Sequence, residues 1–436
     1  MAERVISRGS RSIARHASSS VAETLVFRGA RVLPVSGAAI ERGVLVVENG
    51  RLVAVGAEGS VAIPAGATER DLSGKVVIPG LVDVHSHIAD VAGGDGSAAL
   101  HPEVRVLDSV DIRAASVGKA RAGGITTVNV MPGSGHLMSG QTAYLKLRAN
   151  GNRVEDWLLC TDDAGTICGG MKMANGTNSQ RASGPFPQTR GKSAAMVRAL
   201  FVRAQEYRDK VERAHGDATK LPPRDLGLEA LGEVLDGRRI VHHHTHRADD
   251  IVTVLRLSKE LGFKVVLHHV SEGYLIADAI AEAGVACAVN VVDAPGGKLE
   301  NSERRIDVLT TLDRAGIPIA VQTDDSVTDS RFLLRSAALA VRGGLSEEKA
   351  LAAVTLNGAR MLGLERRVGS LEAGKDADFV VLSGPPFSVW THIEETWVEG
   401  QRVFDRAGES RKYQVGAPDL YPLDGAAADE CAGDVD

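Results

Sequence analysis

The chain between Gly80 and about residue 362 alternates apolar strands with helical stretches, and this alternation limits the fold more than any other feature. Strands are predicted at residues 125–130, 240–244, 264–269, 285–290 and 317–322, with helices at 109–122, 193–214, 248–261, 271–283, 302–315, 330–341 and 346–362. Recurrent helix and strand order favours parallel βαβ units. With residues 80–87, 156–160 and 170–174 added, there are eight strands, which predicts an α/β fold built on a (β/α)8 TIM barrel.

The segments on either side of this region have strand character without helices. Before Gly80, residues 24–32 and 43–56 are rich in β-branched residues, and Asn49-Gly50 is a hairpin signal. Each flank is too small to bury a core alone, so the N- and C-terminal segments are expected to form one composite β-sandwich. We predict four parts: a flexible tail at 1–22, the sandwich at 23–78 and 363–408, the barrel at 79–362, and a second flexible tail at 409–436.

Charge and cysteine content exclude some classes of partner. The formal net charge is −6, so there is no basic footprint for nucleic acid. No apolar run approaches the roughly 18 residues of a membrane span. The four cysteines lie far apart without CxxC spacing, which predicts reduced thiols and a cytoplasmic location rather than a disulfide framework.

Two histidines one residue apart end the first barrel strand. His85 and His87 share a face because alternate residues of a strand point the same way. Other predicted strands supply further candidate ligands at their ends, namely His242, His243, His244, His246, His268, His269, Asp324 and Asp325. Neutral imidazole is the commonest metal ligand, and the carboxyl ends of barrel strands meet at one mouth. The sequence therefore predicts a metal site at that mouth.

Strand alternation sorts some of these candidates. It groups His242, His244 and His246 on one face and leaves His243 outside. It does not choose between His244 and His246, nor between His268 and His269.

The same rule applies to the last barrel strand. Gln322 and Asp324 share a face, so Asp324 is expected to point into the mouth and Asp325 away from it.

Lys172 stands in the middle of a short apolar run. A buried lysine is costly unless it is neutralised, paired or modified, and an exposed loop lysine is the alternative.

Together these motifs resemble the amidohydrolase superfamily. The resemblance lies in His85-x-His87, His244, His269, Thr323-Asp324 and the framing segment 369–378. It extends over about residues 24–404 and is strongest to the imidazolonepropionase-like and dipeptidase-like branch. It implies a (β/α)8 barrel with a composite β-sandwich, and one or two divalent metal ions, expected to be zinc.

The resemblance also implies a role for each site residue. The implied metal ligands are His85, His87, Lys172, His244, His269 and Asp324, with Lys172 carboxylated on its amine when two ions are bound. Asp324 is implied as general base and acid, and His269, if it binds no metal, as the group that polarises the carbonyl. His246 and Arg247 follow the fifth strand and are candidate substrate-binding residues.

These roles imply hydrolysis of a C–N bond in an amide, peptide or cyclic amide by metal-activated water. The expected substrate is a small molecule or short peptide, and the enzyme is expected to be a homo-oligomer. A deaminase with the same site, a peptidase that trims a modified natural-product peptide, and a non-catalytic scaffold are the alternatives. Thr177 replaces the glutamate, and Asp325 the histidine, that related sequences tend to have, which leaves the substrate open.

Overall fold

The computed structural model describes residues 24–91, 93–162, 164–291 and 298–408, so both predicted tails lie outside the described residues. The strands are β1 Leu25–Val32, β2 Ile40–Glu48, β3 Arg51–Ala57, β4 Thr68–Asp71, β5 Val76–Pro79, β6 Leu81–Ser86, β7 Ile125–Val130, β8 Met138–Gln141, β9 Ala143–Lys146, β10 Met171–Ala174, β11 Val241–Thr245, β12 Val265–His269, β13 Ala286–Val289, β14 Ile319–Val321, β15 Phe379–Leu382, β16 Ile393–Val398 and β17 Gln401–Asp405. The helices are α1 Ala115–Ala122, α2 Arg190–Arg213, α3 Leu226–Leu235, α4 Ala248–Leu261, α5 Ala277–Ala283, α6 Val308–Arg314, α7 Leu333–Arg342, α8 Glu347–Ala353 and α9 Leu356–Met361. No helix within these ranges is long and apolar enough to cross a membrane.

From β6 to α9 the fold is mixed α/β, with strands that are mostly parallel. One sheet has the order β14-β13-β12-β11-β10-β8 and a second has the order β6-β7-β9. β8 and β9 pair antiparallel to their neighbours. An isolated parallel bridge between Ser86 and Asp325 joins the two sheets at the strand ends. The described strands do not close into one continuous hydrogen-bonded barrel, so the predicted closure is not confirmed.

The prediction for the third barrel strand is wrong. Residues 156–160 do not form a strand, because the Asp156 carboxylate accepts hydrogen bonds from the backbone N–H groups of Asn152 and Arg153 and closes a turn. The short strands β8 and β9 follow β7 instead. The fourth strand, β10, is confirmed. The helix α3 was not predicted, although Asp225 caps its N-terminus by accepting from Leu228 N–H at 3.0 Å.

The two flanks of the barrel region pair with each other. β15 lies antiparallel beside β5, within a sheet of order β17-β16-β15-β5-β1-β2-β3 in which β4 also pairs with β1. Its core holds Phe27, whose ring lies 4.8 Å from that of Phe379 and 4.9 Å from that of Trp397. The flanks therefore meet in one eight-stranded hydrogen-bonded sheet, and the predicted composite sandwich is not confirmed.

A buried ion cluster joins this sheet to the barrel region. Lys146, at the end of β9, is fully buried, and its Nζ contacts the carboxylates of Asp376, Asp378 at 3.1 Å and Glu399 at 3.4 Å. Arg148 donates two hydrogen bonds to Glu399, at 2.7 and 2.8 Å. All three carboxylates belong to the C-terminal flank, so the cluster holds the flank against the strands that carry the site.

Glu399 should make stability sensitive to acid. Burial would raise its pKa, but hydrogen bonds from Arg148 and the charge of Lys146 outweigh burial and lower the pKa from 4.5 to about 2. Such a group contributes stability above pH 4.5 that is lost as the pH falls towards 2. We expect Glu399→Gln to flatten the fall in the free energy of unfolding over this range, measured by urea titration. The exposed Glu41→Gln serves as the control, and an unchanged slope in Glu399→Gln would contradict the expectation.

Cys160 and Cys168 form a disulfide, so the expectation of reduced thiols is wrong for this pair. Thr161 N–H donates to the Ile167 carbonyl at 2.8 Å, and this contact between the residues next to the two cysteines brings the sulfurs together. Cys287 is a buried free thiol. The spacing of eight residues gave no sign of the pairing, because only this contact makes it possible.

Candidate metal centre

Three side chains converge where β6 and β14 end. Nε2 of His85 and Nε2 of His87 each lie 3.1 Å from Asp324 Oδ1, and 3.3 Å from each other. The backbone holds these ends together, because Asp324 N–H donates to the His85 carbonyl at 2.9 Å and His87 N–H donates to that of Asp325 at 3.0 Å. The Asp325 carboxylate instead accepts from Ser330 N–H at 2.7 Å. The distant residues His85, His87 and Asp324 thus form one group of potential ligands.

A second group consists of His244, His246 and His269, whose ligand nitrogens lie within 4.8 Å of one another. Neither ring nitrogen of His244, nor Nε2 of His269, has a hydrogen-bond partner among the described residues. A buried polar atom without a partner is unfavourable by about 1 to 3 kcal/mol. A cation bound by these nitrogens would remove that cost, so the residues fit a metal ion.

Lys172 lies beside the first group. It is fully buried in β10, with its Nζ 3.0 Å from His85 Nε2 and 3.2 Å from Met131 Sδ. The alternative of an exposed loop lysine is therefore wrong. Burial is unfavourable for a charged amine, whereas a carboxylated amine would be an oxygen ligand. The surroundings of Lys172 fit the modification that the resemblance implies.

The backbone explains why strand alternation could not choose between His268 and His269. His269 has φ +73° and Asp324 has φ +53°, both in the left-handed region that non-glycine residues rarely adopt. The left-handed turn at His269 returns its side chain to the interior, so both histidines are buried there. The Nδ1 atom of His268 lies 3.1 Å from that of His85. Such strained positions cluster at functional sites.

Burial sets the charge state of the ligands. It lowers the pKa of His85 to about 3, helped by the charge of Lys172, and it holds the pKa values of His244 and His269 well below 6.5. Burial alone would raise the pKa of Asp324, but the neighbouring His85 and His269 outweigh it and keep that pKa well below 3.8. At pH 7 His85, His244 and His269 are therefore neutral imidazoles and Asp324 is a carboxylate, the forms that bind metal.

The two candidate substrate-binding residues behave differently. His246 is buried inside the second group, with Nδ1 2.8 Å from Ser271 Oγ and its ring 4.8 Å from that of His269. The side chain of Arg247 is 41% exposed and binds Asp249 at 3.0 Å, without a contact to either histidine group among the described residues. Arg247 is the N-cap of α4 and pairs with that helix's first turn, and its role in binding substrate stays a prediction.

The loop after β10 is held by buried charges. Glu300 is 4% exposed and accepts hydrogen bonds from Thr177 N–H at 3.0 Å and from Arg190 at 2.5 Å. Arg190 also pairs with Asp250 at 2.9 Å. Thr177, the position at which the resemblance leads one to expect a glutamate, therefore lies in a loop that Glu300 and Arg190 hold in place.

Sequence reasoning missed several polar residues that support the site. Asn290 and Tyr144 are buried and hydrogen-bonded to site or neighbouring histidines. His136 is 6% exposed, and neither of its ring nitrogens has a partner among the described residues. Asn290 could have been found from the sequence, because it is a polar residue at an inward position of a predicted strand. His136 lies in a loop, where strand alternation offers no such signal.

Comparison with known proteins agrees with this geometry. The model of the Amidohydrolase family matches residues 197–403. The solved structure of an amidohydrolase from Thermotoga maritima is 33% identical, with a TM-score of 0.80, over 88% of this chain and all of that one. Amidohydrolase tasK from Hapsidospora irregularis is 26% identical over 84% of this chain and 39% of its own length, so the chain spans about two fifths of that relative. An imidazolonepropionase from Rhizobium rhizogenes is 28% identical over 82% of this chain and 90% of its own.

Proposed function

The chain belongs to the amidohydrolase superfamily, in its imidazolonepropionase-like branch, and from that membership we propose that it hydrolyses an amide, peptide or cyclic amide at a divalent-metal centre. The family makes it a hydrolase that acts on carbon–nitrogen bonds. The observation that supports the metal centre most strongly is the convergence of His85, His87 and Asp324 beside the unpartnered nitrogens of His244 and His269.

Each of the two groups of ligands would hold one metal ion. His85, His87 and Asp324 would hold one ion, and His244 with His269 a second, while carboxylated Lys172 would add an oxygen ligand. Nitrogen and oxygen donors of this kind suit zinc. When bound, such an ion lowers the pKa of a water molecule from about 16 to around 7 and polarises a carbonyl.

Asp324 is the residue that moves the proton. Its carboxylate is ionised at neutral pH and lies 3.1 Å from both strand histidines, so it can take a proton from the attacking water and later deliver it to the leaving nitrogen. General acid–base steps of this kind contribute about 100- to 10,000-fold. His246, held by Ser271, lies beside His269 and would contact the substrate there. His269 would polarise the carbonyl only if it bound no metal.

Turnover of a defined substrate panel tests this function. Purified protein loaded with zinc would be incubated with dipeptides and cyclic amides, and the products identified by mass spectrometry. Release of an amine and a carboxylate supports the proposal. Release of ammonia would indicate a deaminase, and shortening of a longer modified peptide would indicate a trimming peptidase. Metal binding without turnover of any class would favour the scaffold.

Metal stoichiometry tests the second ion. We expect two equivalents of zinc in the wild type and about one in Lys172→Ala, with activity reduced at least about tenfold, because the variant would lack the oxygen ligand that a carboxylated Lys172 would supply. Lys264→Ala is the control, because Lys264 is exposed and its Nζ donates to the Gly237 carbonyl, away from both groups of ligands. One equivalent in the wild type, with full activity in Lys172→Ala, would reject the two-ion version.

A further inference from the structure

A line of buried, hydrogen-bonded side chains runs from β9 to the second group of ligands. Its members, in order, are Tyr144, His242, His268, Gln322, Asn290 and His269. Each is at most 6% exposed. Only His269 has a role in the proposed reaction, so the other five need an explanation.

The backbone fixes the protons at one end of this line. The Thr323 carbonyl can only accept, so the Asn290 atom 2.9 Å away is the amide nitrogen Nδ2, which donates to it. Asn290 Oδ1 therefore faces His269 Nδ1 at 2.8 Å and Gln322 Nε2 at 2.9 Å. Because an amide oxygen can only accept, both of these nitrogens donate to it. His269 thus carries its proton on Nδ1, as assigned from its partner and not observed directly.

The same reasoning continues along the line. With its nitrogen turned to Asn290, Gln322 presents Oε1 to His268 Nδ1 at 2.6 Å, so His268 carries its proton on Nδ1. A buried imidazole without a carboxylate partner stays neutral. His268 therefore accepts at Nε2 from His242 Nδ1 at 3.0 Å, and His242 accepts at Nε2 from the Tyr144 hydroxyl at 3.0 Å.

The Thr323 end of the line sets the arrangement of protons, and the Tyr144 hydroxyl, which can donate, is compatible with it. Gln322 Nε2 also lies 3.3 Å from His269 Nδ1, but both nitrogens are closer to Asn290 Oδ1, to which each donates. His268 Nδ1 also lies 3.1 Å from His85 Nδ1, which can accept as the longer contact of the same N–H because His85 without metal carries its proton on Nε2, towards Asp324 Oδ1 at 3.1 Å. The outcome at the far end is that His269 Nε2 keeps its lone pair, and that atom has no partner among the described residues.

We propose that Tyr144, His242, His268, Gln322 and Asn290 are positioning residues that hold His269 as the Nδ1–H tautomer and leave its Nε2 open to a metal ion. This proposal rests on the metal centre inferred above. Groups that orient a ligating histidine typically change metal affinity by about 10- to 100-fold when they are replaced. Here the orienting group is a relay that reaches back to a tyrosine on another strand.

The first test measures the tautomers without metal. Imidazole ¹⁵N NMR of the metal-free protein, assigned with single-histidine variants, should show the Nδ1–H form at His242, His268 and His269. An Nε2–H form at His269 would overturn the proposal. This measurement remains valid even if the wild type binds no zinc, a result that would instead reject the metal centre.

The second test measures zinc affinity by competition with a chelator. Asn290→Ala should weaken binding about 10- to 100-fold, and Asn290→Asp should restore most of it, because a carboxylate still accepts from His269 Nδ1–H. Tyr144→Phe should weaken binding about three- to tenfold and introduce some Nε2–H form at His242. The control is Tyr207→Phe, which removes a hydroxyl bonded to Glu229 on α3. Wild-type zinc affinity in Asn290→Ala would overturn the proposal. Wild-type zinc affinity and unchanged tautomers in Tyr144→Phe would remove Tyr144 and His242 from the set of positioning residues.

Discussion

Replacement of Asp324 by asparagine should lower kcat by about 100- to 10,000-fold while the protein stays folded. The amide has nearly the shape of the carboxylate but cannot take a proton from water at neutral pH. Its oxygen can still face His85 and His87, so most of the metal should remain. Steady-state kinetics with a substrate from the panel, together with metal analysis, measures both effects.

Asp325→Asn is the matched control for this experiment. Asp325 is adjacent in sequence and half-buried, but its carboxylate accepts from Ser330, through N–H at 2.7 Å and Oγ at 2.6 Å. We expect Asp325→Asn to keep most of the activity. Full activity in Asp324→Asn would remove Asp324 from proton transfer, and an equal loss in both variants would indicate general damage to the loop.

Replacement of Lys146 by methionine should lower the free energy of unfolding by about 3 to 5 kcal/mol. The lysine is fully buried. Its loss leaves the carboxylates of Asp376, Asp378 and Glu399 close together, with less positive charge beside them. Removing one partner from a buried cluster strands the remaining charges in a poorly solvating interior. Urea unfolding at pH 7 gives the measurement.

Two further variants make the result specific. Lys75→Met breaks a half-exposed pair with Glu394 at 3.5 Å and should have an effect below about 1 kcal/mol. Adding Asp376→Asn and Asp378→Asn to Lys146→Met should recover part of the lost stability, because fewer charges are then stranded. A loss below about 1 kcal/mol in Lys146→Met alone would show that the cluster does not hold the two parts of the fold together.

Much of the site could be predicted from sequence because the governing rules are local. His85 and His87 point together because a strand repeats every two residues, and α4 covers the predicted residues 248–261 because its apolar spacing and the glycine that follows define it. That the strand ends would meet follows from parallel order. The third strand failed because a single carboxylate, that of Asp156, closes a turn in a short apolar segment.

By itself the sequence determined the alternation of elements, the pairing of His85 with His87, and the chemical type of the groups at the strand ends. Only the tertiary structure decided that His268 and His269 both lie inside, that Cys160 meets Cys168, and that the line from Tyr144 ends at His269. The physical reason is the range of the forces. Periodicity and propensity act between neighbours in the chain, whereas left-handed backbone turns, proton positions and buried contacts depend on atoms that only folding brings together.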